Sequence, residues 1–210
     1  MSGLFITMEG TDGAGKTTQT ELLRKYLEDK GFSVICVREP GGTVISEKIR
    51  SIIIDTEHKK MNARTEALLY AAARAQLVSE VIIPTLKKGD VVVCDRFIDS
   101  SIVYQGDARK LGEENVSSIN FFAAEGIEPD ITFFLKLEPE QSIERKKKQD
   151  KLDRIESESL YFHRKVFYGY VSLAEKFPER IKTIDAFADI NTIHQNIVRH
   201  IENLLLERSF

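Results

Sequence analysis

The run Gly10-Thr11-Asp12-Gly13-Ala14-Gly15-Lys16-Thr17 constrains this chain more than any other stretch. It matches the pattern G-x-x-x-x-G-K-[ST] and stands where that pattern has physical meaning, after a short apolar segment, Leu4–Met8, and at the start of a helix-period segment. Glycines let successive backbone N–H groups converge on phosphate oxygens, and a helix N-terminus adds favourable partial charge. Lys16 is the residue that reaches the β/γ oxygens, and the Thr17 hydroxyl is a hard ligand for Mg²⁺. Gly10, Thr11, Asp12, Gly13, Ala14, Gly15, Lys16, Thr17 and Thr18 are therefore candidate residues for binding a nucleoside triphosphate. A chance glycine turn would lack the flanking strand and helix. By itself the loop implies only that a nucleoside triphosphate binds.

Periodicity extends the strand–loop–helix unit along the chain. Leu22, Leu23, Tyr26 and Leu27 predict a helix over 17–30 that stops at Gly31, and Ser33–Val37 reads as a second strand. Pro40-Gly41-Gly42 forces a turn before a short helix over about 45–54, and a longer one covers about 63–83, ending near Pro84 because proline cannot continue the ladder. Val91–Cys94, Ile131–Leu137 and Ile181–Ile184 read as further strands, with helices at about 113–125, 139–149, 157–176 and 190–207. This alternation predicts an α/β fold with a five-stranded parallel sheet flanked by helices. At 210 residues, one domain spanning 1–210 is the economical organisation.

Thirty Lys+Arg against 33 Asp+Glu leave a formal charge of −3, so no whole-molecule attraction to nucleic acid or to an anionic membrane is expected and anion chemistry must be local. No basic n-region leads into a long apolar stretch, and apolar runs fall short of the ~18 residues of a spanning helix. Cys36 and Cys94 lie in strand-like runs, where a free thiol behaves as a small hydrophobe, and no disulfide framework is implied. A cytoplasmic location is the simplest expectation. Asp95, closing a strand of four apolar residues, is positioned as the acidic partner of a metal bound at Thr17.

The segments FITMEGTDGAGKTTQ, REPGGT (38–43), TEALLYAAARAQLV (65–78), DRFIDSSIVYQG (95–106) and LDRIE (152–156) occur in order across nearly the whole chain. Together they resemble the successive signatures of the thymidylate kinase family. The resemblance implies Mg²⁺-assisted phosphoryl transfer from ATP to dTMP, giving dTDP for dTTP synthesis. It also implies a P-loop nucleoside-monophosphate-kinase fold, a short basic lid at about 144–156, and a homodimer.

Charge arithmetic agrees. Two unit charges 4 Å apart repel by roughly 4 kcal/mol at an effective dielectric of 20, so a kinase that brings two phosphates together needs several cations. Lys16, Arg38, Arg50, Arg96 and the 144–156 cluster are the candidates. No general base is required, because an acceptor phosphate with a second pKa of about 6 is already mostly anionic at neutral pH. The resemblance puts Arg96 on phosphate oxygens and Arg38 and Glu39 near the acceptor phosphate.

Thymine offers an acceptor O4 and a donor N3–H, whereas cytosine offers N4–H₂ and an acceptor N3. An arginine donor at O4 and an amide at N3 would discriminate, and Arg74 and Gln105 occupy the family's base-reading positions. Tyr70, one turn before Arg74, matches the aromatic on which the pyrimidine stacks. Ser101 and Tyr104 belong to the DSS-x-x-YQG run; the resemblance sets Tyr104 against a ribose 2′-hydroxyl and Asp12 on the 3′-hydroxyl. In the basic stretch Arg145, Lys147, Lys148, Lys151 and Arg154 are the candidate cations toward ATP. Here Gln149-Asp150 replace the usual arginine-glycine pair, and Lys110 replaces a glycine. Two competitors remain: a kinase with another acceptor, and a phosphate-loop regulatory module, which would need no second pocket.

Overall fold

The alternating apolar segments form parallel strands in the spatial order β2-β3-β1-β4-β5. These are β1 (Leu4–Glu9), β2 (Val34–Arg38), β3 (Val91–Asp95), β4 (Ile131–Lys136) and β5 (Ile181–Asp185). The computed structural model describes residues 3–146 and 152–208. Helices cover both faces: α1 (Lys16–Asp29), α2 (Val44–Ile54), α3 (Ala63–Leu77), α4 (Ile83–Lys87), α5 (Ile98–Ser101), α6 (Glu113–Ala123), α7 (Pro139–Lys146), α8 (Leu160–Lys176) and α9 (Ile190–Glu207).

Strand period 2 sorts the core. Leu4, Ile6 and Met8 of β1 face α1 and α9, where Leu23, Leu27, Ile193, Ile197 and Ile201 meet them, while Phe5 points the other way toward Leu77, Val78 and Ile82. β1 and β3 send their outgoing connections toward opposite edges of the sheet. The C-terminal ends of this pair, held in register with Met8 opposite Asp95, therefore flank the crevice where such sheets bind ligands.

Three local expectations change. Cys36 is exposed, because β2 is an edge strand; Cys94 of β3 is buried as expected. The helix beginning at Ala63 does not stop at Pro84: a π-helical turn, Val78–Ile82, links α3 to α4, with the Ile83 N–H bonded to the Val78 carbonyl. The wider turn lets Pro84 sit in the first turn of α4, where no N–H is demanded of it. Residues 63–87 are long and apolar enough to cross a membrane by length and composition, yet Leu77, Val78, Ile82 and Leu86 pack into the layer beneath the sheet. A second π-helical turn, Ile102–Ala108, follows α5 where no helix was expected, and it carries Tyr104 and Gln105.

α9 supplies much of one core face, and Ile197 is wholly buried there. Ile197→Ala should destabilise the protein by about 2–5 kcal/mol, read from a shift in the denaturant unfolding midpoint with little change in slope.

Candidate active site

The phosphate loop leaves β1 through Gly10, whose φ of +135° favours glycine and whose added Cβ would come within 2.6 Å of the Leu135 carbonyl. α2, α3, α8 and α9 are capped by Thr43, Asn62, Ser159 and Asp189, but α1 starts at Gly15 with no side chain accepting from its first turn. Its orphan N–H groups are therefore available to an anion. Lys16 folds back over the loop: Nζ donates to the carbonyls of Gly10 at 3.2 Å and Thr11 at 3.1 Å and lies 3.8 Å from Asp12 Oδ1. Burial pushes its pKa down and neighbouring Arg96 adds to this, so an incoming anion relieves a desolvated charge.

Thr17 Oγ1 donates to Asp95 Oδ2 at 3.4 Å across the C-terminal ends of β1 and β3. A hydroxyl and a carboxylate suit Mg²⁺, which takes few protein ligands and keeps waters and phosphate oxygens. Among the described residues no group of three or more His, Cys, Asp or Glu forms an all-protein cage.

Arg96 follows Asp95 with φ +71°. Its guanidinium donates to Asp12 Oδ1 at 2.7 Å and to the hydroxyls of Ser100 and Tyr170, each at 3.2 Å, and it lies over the Tyr104 ring. Behind those hydroxyls sits Glu9, fully buried. It accepts from the Phe97 N–H at 2.7 Å, the Ser100 hydroxyl at 2.6 Å and the Tyr170 hydroxyl at 2.7 Å. Burial raises the Glu9 pKa and nearby Asp99 adds to it, while Arg96 and the hydroxyls pull it down.

Beside the loop opens a cleft lined by Asp12, Glu39, Arg50, Tyr70, Arg96, Ser101, Tyr104 and Gln105. Asp153, Ile155 and Glu156, from the chain after the basic run, close its other wall. Arg50 donates to the Pro40 carbonyl at 2.9 Å. The Tyr104 hydroxyl and Glu39 Oε1 are buried without a hydrogen-bond partner among the described residues. Burial pushes the Glu39 carboxyl up to about 7 against the attraction of Arg74.

Three expected site residues do not face the cleft. Arg74 is 1% exposed, and all five of its N–H groups are taken: two by Glu39 Oε2 (2.8 and 2.5 Å), the others by Ser101 Oγ, Asn120 Oδ1 and the Phe97 carbonyl. It stands behind the wall, and donating to a base would require it to give up one of these bonds. Arg38 turns outward onto Glu47, with which it shares two 3.0 Å hydrogen bonds. Arg154, expected among the lid cations, is buried; it bonds the Ile53 carbonyl at 2.7 Å and pairs with Glu66 at 2.7 Å, so its guanidinium is engaged away from the phosphate loop. Arg145 does reach the phosphate loop, donating to the Gly13 carbonyl at 3.3 Å. Lys147, Lys148 and Lys151 lie outside the described residues.

Sequence reasoning missed Glu9, Glu66 and Tyr170. Glu66 had a usable signal, since it stands one turn before Tyr70 and two before Arg74 on α3. Tyr170 had none, being one aromatic among several on α8.

A parallel sheet with a phosphate loop at its switch point, and an arginine-lined cleft beside it, defines a P-loop phosphotransferase of the nucleotide-kinase type. A family model described as thymidylate kinase matches residues 8–197. A thymidylate kinase of Caldanaerobacter subterraneus is 47% identical over 205 residues, covering 98% of both chains, and one from a Geobacillus species is 49% identical over 195 residues, covering 92% of this chain and 93% of its own. The crystal structure of thymidylate kinase from Ehrlichia chaffeensis superposes with a TM-score of 0.77 at 29% identity, covering 95% of this chain and 98% of that one. The chain belongs to the thymidylate kinase family.

Removing the Arg74 guanidinium would empty a fully buried site, strip Ser101, Asn120 and the Phe97 carbonyl of their donor, and break the buried pair with Glu39. Arg74→Ala should therefore cost about 3–5 kcal/mol of global stability in denaturant unfolding, a loss that a pure base-reading role would not produce.

Proposed function

We propose that the cleft holds dTMP with its phosphate toward Arg96 and Arg50 and its base toward Tyr70 and Gln105, end-on to ATP lying along the phosphate loop. As a member of its family the chain is a nucleoside-monophosphate kinase that transfers a phosphoryl group from ATP to dTMP, giving dTDP. The observation that carries the site reading is the 2.7 Å ion pair between Asp12 of the phosphate loop and Arg96 of the cleft, which puts one cation at the boundary of the two anion sites.

Lys16 binds the donor's β/γ oxygens, and Arg96 offsets the repulsion between donor and acceptor as they approach in line. The acceptor oxygen is already anionic at neutral pH, so no side chain needs to remove a proton. Thr17 and Asp95 would hold Mg²⁺, which when bound neutralises charge on the triphosphate. Arg145, with Lys147, Lys148 and Lys151, supplies further cations from a short basic lid, while Arg154 anchors the chain that returns from it.

Gln105 and Tyr70 read and stack the thymine, Asp12 accepts from the 3′-hydroxyl, and Tyr104 crowds a 2′-hydroxyl. Exposed Leu68, Phe121 and Phe122 on the neighbouring helices α3 and α6 support a homodimer through that face. We read the chain as a single-domain cytoplasmic enzyme, and its formal charge of −3 gives nucleic acid and anionic membranes no whole-molecule attraction.

Steady-state assays with ATP plus dTMP, dUMP, dCMP, dGMP or thymidine test the acceptor, with dTMP expected to give the highest kcat/KM and any other preference overturning the assignment. In Lys16→Ala, phosphoryl transfer should fall to background while calorimetric dTMP binding stays close to wild type. Retained turnover would contradict the role given to Lys16.

A further inference from the structure

Glu66 is 1% exposed, lies outside the cleft lining, and gathers four N–H donors. Oε1 accepts from Gln105 Nε2 at 3.0 Å and Arg109 Nε at 3.1 Å; Oε2 accepts from Arg109 Nη2 at 3.1 Å and Arg154 Nη1 at 2.7 Å. Burial alone would raise its pKa, but the bonds from Arg109 and Gln105 outweigh that and hold it below the usual carboxylate range. An ionised carboxylate only accepts, so the group that Gln105 turns toward it must be its NH₂. The side-chain carbonyl of Gln105, Oε1, is then the half left for the cleft, and no side-chain or backbone donor among the described residues bonds it.

We propose that Glu66 is a positioning residue for acceptor choice: by fixing the Gln105 amide with its carbonyl toward the cleft, it makes the pocket accept a pyrimidine edge that donates at N3. The inference rests on the reading of Gln105 as the group that faces the base. Thymine and uracil carry N3–H and meet the carbonyl; cytosine presents a bare N3 and would set lone pair against lone pair. Arg109 and Arg154 cannot invert, having donors only, so of the partners of Glu66 only Gln105 depends on it for its orientation.

This predicts how a neutral isostere would settle. In Glu66→Gln the new amide nitrogen avoids the Oε2 position, where it would face two arginine donors, and takes the Oε1 position, where it faces Arg109 Nε and Gln105. Gln105 can answer by turning over, which offers its NH₂ to the cleft.

The test is kcat/KM of the full chain with ATP for dTMP, dUMP and dCMP. In Glu66→Gln the dTMP/dCMP ratio should fall by about tenfold or more, while the dUMP/dTMP ratio stays put because both bases show the same edge. Glu66→Asp keeps a carboxylate and should keep the dTMP/dCMP ratio even if less stable. A purely structural role would lower all three activities together, and an unchanged dTMP/dCMP ratio in Glu66→Gln would overturn the proposal. Wild-type enzyme that did not prefer dTMP over dCMP would instead overturn the reading of the cleft. Where Glu66→Gln fails to fold, ¹⁵N-labelled wild type decides: the Gln105 side-chain NH₂ should exchange slowly with or without dTMP. A fast-exchanging NH₂ that becomes protected only on adding dTMP would show the opposite orientation and refute the inference.

Discussion

A guanidinium taken out of water needs a counter-charge, and Arg96 has two: Asp12 pairs with it directly at 2.7 Å, while Glu9 acts on it through intermediaries. The hydroxyls of Ser100 and Tyr170 donate to Glu9 and accept from Arg96, so the carboxylate acts on the arginine at one remove. Glu9 thereby orients the guanidinium from behind, while Asp12 holds its other edge and the cleft keeps access to it. The positive φ at Arg96, costing about 1–3 kcal/mol, aims the side chain from the end of β3 back across the phosphate loop.

A second constraint acts on α3. Glu66, Tyr70 and Arg74 succeed one another at single-turn intervals, with buried ion pairs at both ends of the row and the aromatic between them. Buried pairs of this kind contribute little net stability compared with apolar packing, but each has one satisfactory geometry. Ser46 adds a hydrogen bond to the Ala73 carbonyl that ties α2 to the same helix. Tyr70 thus projects into the cleft from a helix fastened on either side of it, which is what a stacking platform requires.

The parts legible in the sequence were those with local causes. The phosphate loop is contiguous, and its glycines answer to backbone geometry within a few residues, so it reads directly. The strands and the long helices follow from hydrophobic period. Edge position is not local: nothing in Ser33–Val37 says that β2 will lie outermost and leave Cys36 exposed. Nor does apolar pattern reveal a π-helical turn, in which Gln105 and Tyr104 acquire their directions. The cations were visible as residue types, but their partners were not. Nothing local in the sequence shows that Arg74 pairs with Glu39, 35 residues away, or Arg154 with Glu66. Charge counts identify which side chains could meet a phosphate; only the fold decides which of them are already engaged.

That distinction bears on how the basic stretch around 144–156 is held. Before it, Ser142 donates to the Asp12 carbonyl and Arg145 to the Gly13 carbonyl, so α7 stands on the phosphate loop. After it, the Arg154 backbone N–H and Nε bond the carbonyls of Ile54 and Ile53, and Nη1 pairs with Glu66, so the returning chain stands on the ends of α2 and α3 beside the cleft. The two ends that flank the run thus rest on different parts of the site, one on the phosphate loop and one on the chain beside the cleft. Glu66, sharing its carboxylate between Arg154 and Gln105, is the atom group through which the cleft residue Gln105 and the returning chain are joined.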